Sequence, residues 1–458
     1  MADSQEAGSA FVSSAEALTT MVKAHRIRPE HTKSLPTFYR NLEEGLDIKR
    51  ASESFYSTLP GTGPSAGSVD FCSGDVMGMG RSSEHRAEFL AELQRHPEFA
   101  LGTTSSRLMD GNYPYIVEAE SEIAAFHGYE AGLIVGSGFE ANLAIWGTIP
   151  KQGDVIVYDS LVHASTHDGM RQALATDRVA FPHSDVDAFR DTLRDILATR
   201  PLELVEAARE VFQDNEGGVQ FVVDEAHSIG FIGPDGKGLV CELGLEEDIA
   251  VVMHSFGKAI GAAGAIILGN KSIRDTVINF SRAVMFSTAP TFTFIAAIRS
   301  GYKVLGTKDK DRQHIQDMSR LFFELVTSHR LWPTAMTKGI LRIPLADGWE
   351  DRMVHTHLLA ISTRPKSFWW MYCHLLSASY RTFPVTYPVV PPGQGRLRVI
   401  IHAYNTEEQV RGFVDAIYVW VQEMMDIEAG TATEPVTKAA KEVYDWMRTQ
   451  QLNGLGMV

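Results

Sequence analysis

The sequence has little of several features that would assign it to a special class of protein. Only three of its 458 residues are cysteines, and Cys72, Cys241 and Cys373 lie far apart with no C-x-x-C spacing. An odd number of distant cysteines excludes a disulfide framework and a cysteine-based zinc site, and it is typical of a reducing compartment. Positive charge is also scarce, since 42 Lys and Arg residues face 57 Asp and Glu residues and the formal net charge is -15. Such a chain repels phosphate backbones and anionic membranes on average, so we expect no nucleic-acid partner.

The ends of the sequence carry no recognisable targeting signal. The first 33 residues have no apolar stretch and include Asp3, Glu6 and Glu16, whereas a transit peptide is poor in acids. The C-terminal residues 455–458 match no peroxisomal or retention signal. We therefore expect a cytoplasmic protein.

Residues 249–269 form an apolar stretch long enough to suggest a membrane span. The stretch contains Lys258 near its centre and four glycines. A charge at that depth and repeated helix breaks are both unfavourable in a membrane helix. We expect instead a strand, a glycine-rich loop and a second strand, with the lysine enclosed and no membrane span.

The composition is that of a globular protein with a large core. Hydrophobic residues make up 44% of the chain, charged residues 22%, and the mean hydropathy is -0.09. Between residue 69 and about residue 288, short apolar runs alternate with amphipathic stretches, which indicates a mostly parallel sheet covered by helices on both faces. The predicted strands are 132–135, 155–158, 179–181, 221–223, 249–253 and 263–268.

The chain is predicted to have three parts. Residues 1–68 are polar and irregular, and we interpret them as an N-terminal arm. Residues 69–300 form a large α/β domain, and residues 301–458 form a smaller α+β C-terminal domain. A long helix over about residues 290–330 is expected to connect the two domains.

Two of the predicted strands lead into residues that can carry chemistry. The run 221–223 ends at Asp224, and the run 249–253 is followed five residues later by Lys258. Ligands bind beyond the carboxyl ends of parallel strands, so we expect the acid and the lysine at one edge of the sheet. A desolvated lysine can form Schiff bases, and a carboxylate that faces a pyridinium nitrogen keeps that ring able to accept electrons. The pair is what pyridoxal 5'-phosphate (PLP) requires, although Asp224 alone also fits a helix cap and Lys258 a solvated loop.

A phosphate site is expected where a glycine-containing turn opens a helix. Ser137, Gly138 and Phe139 follow an apolar strand and precede a helical stretch, so backbone N–H groups at the helix start would face an anion. A plain tight turn is the alternative. Ser255, three residues before Lys258, could add a hydroxyl to the same phosphate.

Two histidines also follow predicted strands. His163 could stack on a cofactor ring, or it could be a satisfied buried histidine. His227 could reach a ring hydroxyl, or it could face water as a loop residue.

Five motifs, taken together, make the sequence similar to a known family. They are SGFEAN at 137–142, DSLVHAS at 159–165, DEAHSIG at 224–230, SFGKAIGAAGA at 255–265 and FSTAP at 286–290. In this order they resemble the α-oxoamine synthase family, which includes 8-amino-7-oxononanoate synthase and serine palmitoyltransferase. The resemblance covers about residues 69–425. It implies a PLP-dependent transferase of fold type I that works as a homodimer with active sites shared between the subunits.

The resemblance implies roles for the residues around the cofactor ring. Lys258 is the Schiff-base lysine and the catalytic base, and Asp224 is the partner of the pyridinium nitrogen. His163 stacks on the ring, and His227 contacts the ring hydroxyl.

The resemblance also implies the phosphate and substrate contacts. The phosphate site is lined by Ser137, Gly138, Phe139 and Ser255. Thr288 reaches this site from the other subunit. Arg398, in the string GQGRLRVIIHAYNT, matches the arginine that binds the amino-acid carboxylate, and a structural strand arginine is the alternative.

The implied reaction joins a small amino acid to an acyl thioester. Lys258 removes the Cα proton, the carbanion attacks the thioester, the thiol leaves, and loss of CO2 gives an α-amino ketone. Transamination, an aldolase-like cleavage and an inactive partner subunit are the alternatives. The sequence does not define the amino acid, the acyl chain, or whether CoA or a carrier protein delivers it.

The chain departs from the family pattern at one important place. Between helical stretches at 186–198 and 202–212, the family has an apolar inner strand that ends beside the cofactor, whereas here residues 199–201 join the two stretches directly. Loss of an inner strand leaves backbone groups unpaired and costs several kcal/mol or more, as an order of magnitude. Either neighbouring strands close the gap or the chain is a truncated or mis-spliced product. We expect a weakened or rearranged site.

Overall fold

The computed structural model describes residues 27–52, 55, 67–199, 219–387, 389–391 and 393–449. These residues belong to two compact units. One unit is formed by residues 74–313, and the other by the residues before 74 together with those from 314 onward. The predicted boundaries after residues 68 and 300 stay predictions. The start of the predicted arm and the predicted helix at 202–212 lie outside the described residues.

The described residues form the following strands and helices. The strands are β1 Val69–Asp70, β2 Ala131–Val135, β3 Val155–Asp159, β4 Asp177–Phe181, β5 Phe221–Asp224, β6 Ile249–Ser255, β7 Ala265–Gly269, β8 Leu358–Ile361, β9 Tyr380–Arg381, β10 Phe383–Val385 and β11 Arg396–Ile400. The helices are α1 Pro29–Ser34, α2 Thr37–Ala51, α3 Ser83–Arg95, α4 Pro114–Phe126, α5 Gly138–Thr148, α6 Ala164–Gln172, α7 Val186–Thr199, α8 Leu239–Glu242, α9 Lys271–Phe280, α10 Arg282–Phe286, α11 Phe292–Leu305, α12 Asp309–Ser328, α13 Trp332–Thr337, α14 Phe368–Ser377, α15 Glu407–Ala429 and α16 Lys438–Thr449.

The unit formed by residues 74–313 contains a four-stranded sheet with the order β2-β7-β6-β5. β5 is parallel to β6, whereas β7 is antiparallel to both β6 and β2. β3 and β4 form a separate parallel pair. Since only β7 is reversed, the predicted mostly parallel α/β arrangement is confirmed. The strand, loop and strand predicted over residues 249–269 are confirmed as β6 and β7. Among the described helices, none is long and apolar enough to cross a membrane.

The core of this unit forms because β6 and β7 are apolar along nearly their whole length. Val252, Ile266 and Leu268 have no exposed surface. Helix α5 covers the sheet with Ala141 and Ile145, which belong to the same buried cluster as apolar residues of β2, β6 and β7. Strands that are buried on both faces are expected to be continuous apolar runs, as these are.

The sheet has a gap beside β5. Among the described residues, β5 pairs only with β6 and β3 pairs only with β4, so no described strand joins the two sheets. Phe221 at the start of β5 is 46% exposed, and Asp224 at its end is also exposed, in contrast to the buried neighbours on β6. The described strands therefore do not close the gap that the direct connection predicts. The junction at residues 200–201 lies outside the described residues.

The other unit has an α+β core. Its main sheet has the order β10-β11-β8 with antiparallel pairing, and β1 pairs with β9 in parallel. The long helix α15 supplies Phe413, Ile417 and Trp420 to the core. This helix begins at a capping box formed by Thr406 and Gln409, and it ends where Gly430 adopts φ +68°.

The prediction of a single long helix over residues 290–330 is wrong. Two helices, α11 and α12, occupy this stretch. The N–H groups of Thr307 and Lys308 bond to the carbonyls of Val304 and Leu305, three residues back. Bonds of this tighter type end the first helix before the second begins.

The unequal burial of the strands gives a stability prediction. Ile267→Ala should lower the free energy of unfolding by about 2–5 kcal/mol because Ile267 is buried between α5 and the sheet. Phe221→Ala should cost about 1 kcal/mol or less because the side chain is half exposed on an unpaired edge. Urea unfolding followed by circular dichroism measures both. If Phe221→Ala costs as much as Ile267→Ala, another strand or a second copy covers β5 in solution.

Candidate active site

The ends of β5 and β6 bring an acid and a lysine to one edge of the sheet. The strands are parallel, Asp224 lies opposite Met253, and Lys258 follows Met253 by five residues. The carboxylate of Asp224 accepts hydrogen bonds from the N–H of Ala226 at 3.0 Å and from Nδ2 of Asn142 at 2.9 Å. The first bond is typical of a loop acid, but the second comes from helix α5 and fixes the direction of the carboxylate.

Lys258 is half-buried, so the expectation of an enclosed lysine is wrong. The residue lies in the loop between β6 and β7, where its neighbours Ala259 and Ile260 are buried. A Cβ built on Gly74 would lie 3.7 Å from Cγ of Lys258, so the backbone passes close to the lysine stem. The stem of Lys258 is therefore packed against backbone, although the residue as a whole is not enclosed.

His163 is joined to Asp224 by a chain of hydrogen bonds. Asn142 donates from Nδ2 to Asp224 and also to Oγ of Ser165, which lies 3.0 Å away. Ser165 Oγ lies 2.7 Å from Nδ1 of His163, and the N–H of Ser165 donates to the same nitrogen. These two contacts with Ser165 fix the direction of the imidazole ring. His163 is exposed at the start of α6, so the alternative of a satisfied buried histidine is wrong.

A small residue explains how Asn142 reaches Ser165. Helices α5 and α6 pack so closely that a Cβ on Gly169 would lie 2.7 Å from the carbonyl oxygen of Asn142 and 2.8 Å from Cβ of Trp146. Any larger residue at this position would push the two helices apart. Asn142 and Ser165 are both almost fully buried, and their contact joins helices α5 and α6.

The start of α5 has the features predicted for a phosphate site. Oγ of Ser137 accepts from the N–H of Glu140 and caps the helix, and the first N–H groups of a helix have no carbonyl partner within it. A Cβ on Gly138 would lie 3.4 Å from both Cβ and Oγ of Ser255. Gly138 thus leaves room between the helix start and the end of β6, while Phe139 is 43% exposed beside it.

One acid also lies at this helix start. The carboxylate of Glu140 accepts from the N–H of Gly136 at 2.9 Å. Burial raises the pKa of Glu140, which disfavours its charged form. The acid therefore opposes a bound phosphate less than an ordinary glutamate would.

The remaining two candidates of this unit are exposed. His227 lies in the turn after β5. Thr288 lies on the segment before α11 and forms an isolated antiparallel bridge with Ser106. The structure thus places Thr288 on a segment tied to residues 103–106, since the N–H of Ala289 also bonds to the carbonyl of Ser105.

Arg398 belongs to the other unit, where it lies on β11. Its Nη2 donates to the carbonyl of Cys72 at 3.1 Å, and its guanidinium lies over the ring of Phe383 at 4.9 Å. Its Nε has no hydrogen-bond partner among the described residues. The structural alternative therefore accounts for the bond of Nη2 but not for the buried Nε.

Sequence reasoning did not identify Asn142 and Ser165 as site residues. Both stand inside the motifs SGFEAN and DSLVHAS. The signal that could have found Asn142 is a lone amide in the apolar stretch of α5, where a buried polar group must have a partner.

The residues present fit PLP. A hydrogen-bonded carboxylate suits a ring nitrogen, a half-buried lysine suits an aldehyde, and a capped helix start with a glycine suits a phosphate. The Asn142 bond and the space left by Gly138 are the observations that favour this group. Lys258 would hold it covalently, and Ser255 lies where it could contact the phosphate.

Comparisons with known proteins agree with this chemistry. Residues 66–417 match the family model for aminotransferase class I and II. The chain is 41% identical to an aminoacyl transferase sphA of Byssochlamys spectabilis, over 94% of this chain and 97% of that one. It is 36% identical to an 8-amino-7-oxononanoate synthase of Emericella nidulans, over 78% of this chain and 90% of that one.

Solved structures are similar in fold. A serine palmitoyltransferase of Sphingomonas wittichii matches with a TM-score of 0.63 at 23% identity, over 78% of this chain and 87% of that one. An 8-amino-7-oxononanoate synthase of Francisella tularensis matches with a TM-score of 0.59 at 20% identity, over 78% and 99% of the two chains. These likenesses confirm the predicted fold class.

The bonds of Asn142 give a second stability prediction. Asn142→Ala should cost about 1–3 kcal/mol of unfolding free energy because Asp224 and Ser165 each lose a donor. Asn279→Ala is the matched control and should cost about 0.5 kcal/mol or less, since this exposed amide bonds only to a carbonyl of its own helix. Equal losses in urea unfolding would show that the bonds from Asn142 to Asp224 and Ser165 do not stabilise the fold.

Proposed function

The chain belongs to the aminotransferase class I and II family and, within it, to the α-oxoamine synthases, and from this we propose that the ends of β5 and β6 form its catalytic centre. The protein is a PLP-dependent acyltransferase that condenses a small amino acid with an acyl thioester and releases CO2, giving an α-amino ketone. The observation that carries the proposed site is the placement of Asp224 and Lys258 at the ends of neighbouring parallel strands, with Asp224 held by Asn142.

The residues at this edge have separate tasks in the proposal. When bound, PLP supplies an electron sink for negative charge that develops at Cα of the amino acid. Asp224 holds a proton at the ring nitrogen, and Asn142 fixes the carboxylate for this purpose. Lys258 would hold PLP covalently and would accept the proton from Cα of the bound amino acid. The residue is half-buried, in the loop that follows β6.

His163 and His227 contact the cofactor ring in the proposal. Nδ1 of His163 contacts the hydroxyl and the N–H of Ser165, which fixes the direction of the ring. A ring held in this way can stack on the cofactor. His227 reaches the ring hydroxyl from the turn after β5.

The phosphate is held by Ser137, Gly138 and Phe139 at the start of α5 and by Ser255. Support comes from the cap at Ser137 and from the 3.4 Å approach of a built Gly138 Cβ to Ser255. N–H groups at a helix start bind anions through hydrogen bonds and through the helix dipole.

We also propose a homodimer in which Thr288 completes the phosphate site of the other subunit. Leu101 and Met109 are 82% and 79% exposed, and Phe286, on the segment bridged to theirs, is 66% exposed. A cluster of exposed apolar residues marks an association surface. Sedimentation velocity that shows only a 50.6 kDa species at micromolar concentration would contradict the dimer.

The three free cysteines support a cytoplasmic location.

The central test is the absorbance of the purified protein. Wild type should bind PLP with a visible absorption band, and Lys258→Ala should lose that band because the covalent link is gone. Release of free thiol from acyl-CoA should depend on glycine, alanine or serine, and it should fall by about 100-fold or more in Lys258→Ala. Lys271→Ala, an exposed lysine at the start of α9, is the control and should match wild type.

Each negative outcome of this test has a meaning. A colourless wild type that does not take up PLP would contradict the enzyme and favour the inactive-subunit alternative, which the gap beside β5 motivates. A coloured protein that releases thiol without an amino acid would contradict the synthase assignment. Full activity with ordinary substrate affinity would contradict the weakened site expected from the gap.

We propose that Arg398 binds the carboxylate of the amino acid. Arg398→Ala should raise KM for the amino acid by about 10- to 100-fold, because a charge-assisted hydrogen bond contributes about 1.5–3 kcal/mol. Arg411→Ala, whose partner Glu407 is exposed on the same unit, is the control and should leave KM unchanged. A lowered Tm with an unchanged KM in Arg398→Ala would favour the structural role at the Cys72 carbonyl.

A further inference from the structure

Glu225 is a buried acid next to Asp224 that the proposed mechanism does not use. Its side chain is 3% exposed, whereas Asp224 is exposed. A buried carboxyl is costly unless hydrogen bonds compensate it. Its partners therefore indicate what it does.

Three donors converge on one oxygen of Glu225. Oε1 accepts from the hydroxyl of Ser228 at 2.9 Å and from the N–H groups of Leu239 and Val240 at 2.6 and 2.9 Å. The two N–H groups belong to the start of α8, eleven or more residues beyond Ser228. One carboxylate oxygen therefore ties the turn after β5 to a distant segment.

The loop that supplies these donors is closed tightly over the carboxylate. A Cβ built on Gly238 would lie 2.4 Å from Oε2 of Glu225, and Gly238 has φ +108°. A residue with a side chain would be excluded there by both contacts and backbone conformation. The glycine is thus required for the loop to reach Glu225.

The other face of Glu225 is covered by buried imidazoles. Oε2 lies 3.8 Å from Nε2 of His254, and the ring of His254 stacks on His127 with 4.3 Å between ring centres. His127 is fixed by bonds to the carbonyl of Lys237 at 2.9 Å and to the hydroxyl of Tyr302 at 3.0 Å. Burial lowers the pKa of His127 to about 4 and that of His254 well below its ordinary value, so these rings are neutral. Oε2 of Glu225 therefore faces buried, neutral imidazoles and has no hydrogen-bond partner among the described residues.

The turn held in this way carries the proposed cofactor contacts. From residue 225 to residue 230, only His227 is exposed, and Asp224 directly precedes Glu225. We propose that Glu225 is a positioning residue, whose bonds to Ser228 and to the start of α8 set where Asp224 and His227 lie at the cofactor site. The inference rests on the proposed function, because it assigns these two residues to PLP.

Two substitutions separate positioning from charge. Glu225→Ala removes the acceptor of three donors, and it should weaken PLP binding by about 10- to 100-fold and change the visible circular dichroism of the bound cofactor. Glu225→Gln keeps an oxygen for the same donors, and it should restore affinity to within about 3-fold of wild type. Glu242→Ala, an exposed acid at the end of α8, is the control and should behave as wild type.

The measurements are PLP titration, visible circular dichroism at saturating PLP, and the melting temperature of the apoprotein. A folded Glu225→Ala that binds PLP with wild-type affinity and dichroism would overturn the inference, and so would a Gln variant as impaired as the Ala variant. If Glu225→Ala does not fold, Ser228→Ala decides, because it removes one donor. It should weaken binding by about 2- to 5-fold, and an unchanged affinity would overturn the inference. Failure of wild type to bind PLP would instead refute the proposed function.

Discussion

The site depends on the side-chain amide of Asn142. Its two N–H groups point to Asp224 on one sheet and to Ser165 below His163, beside the other sheet. An amide nitrogen has two donors in a fixed plane, so both partners are oriented together. In a unit whose two sheets share no described strand pairing, this amide and the close packing of α5 on α6 set the relative position of the carboxylate and the histidine.

The gap beside β5 explains why side-chain hydrogen bonds are needed to hold Asp224 in place at the end of this strand. A central strand is normally fixed by backbone bonds on both sides, but β5 has a described partner on one side only. Asp224 ends this half-paired strand, so backbone pairing alone holds it less firmly than the residues of β6. Two sets of hydrogen bonds replace part of that restraint. Asn142 donates to Asp224, and the N–H groups of Leu239 and Val240 donate to the neighbouring Glu225.

Much of this arrangement follows from local sequence. Asp224 and Lys258 could be predicted because a strand end is a local feature, and the carboxyl ends of parallel strands meet at one edge. The Asn142–Ser165 contact could not, because it joins residues 23 positions apart through helix packing that only Gly169 permits. The prediction that Lys258 is enclosed is wrong for a similar reason. Apolar neighbours in a sequence do not determine how far a loop residue is buried. The alternatives for Arg398 also depend on a partner, Cys72, that lies 326 residues away.

The charge of the chain places a further demand on the site. The proposed acyl thioester is anionic through the phosphates of its carrier, the amino acid carries a carboxylate, and PLP carries a phosphate, yet the formal net charge of the protein is -15. Long-range attraction is therefore absent, and binding must come from short-range groups. The start of α5 supplies N–H groups and the positive end of a helix, while burial makes the nearby Glu140 less prone to ionise. The neutral histidines behind Glu225 add no compensating charge, so among the described residues at this edge Lys258 and the backbone donors of α5 are the groups that attract an anion.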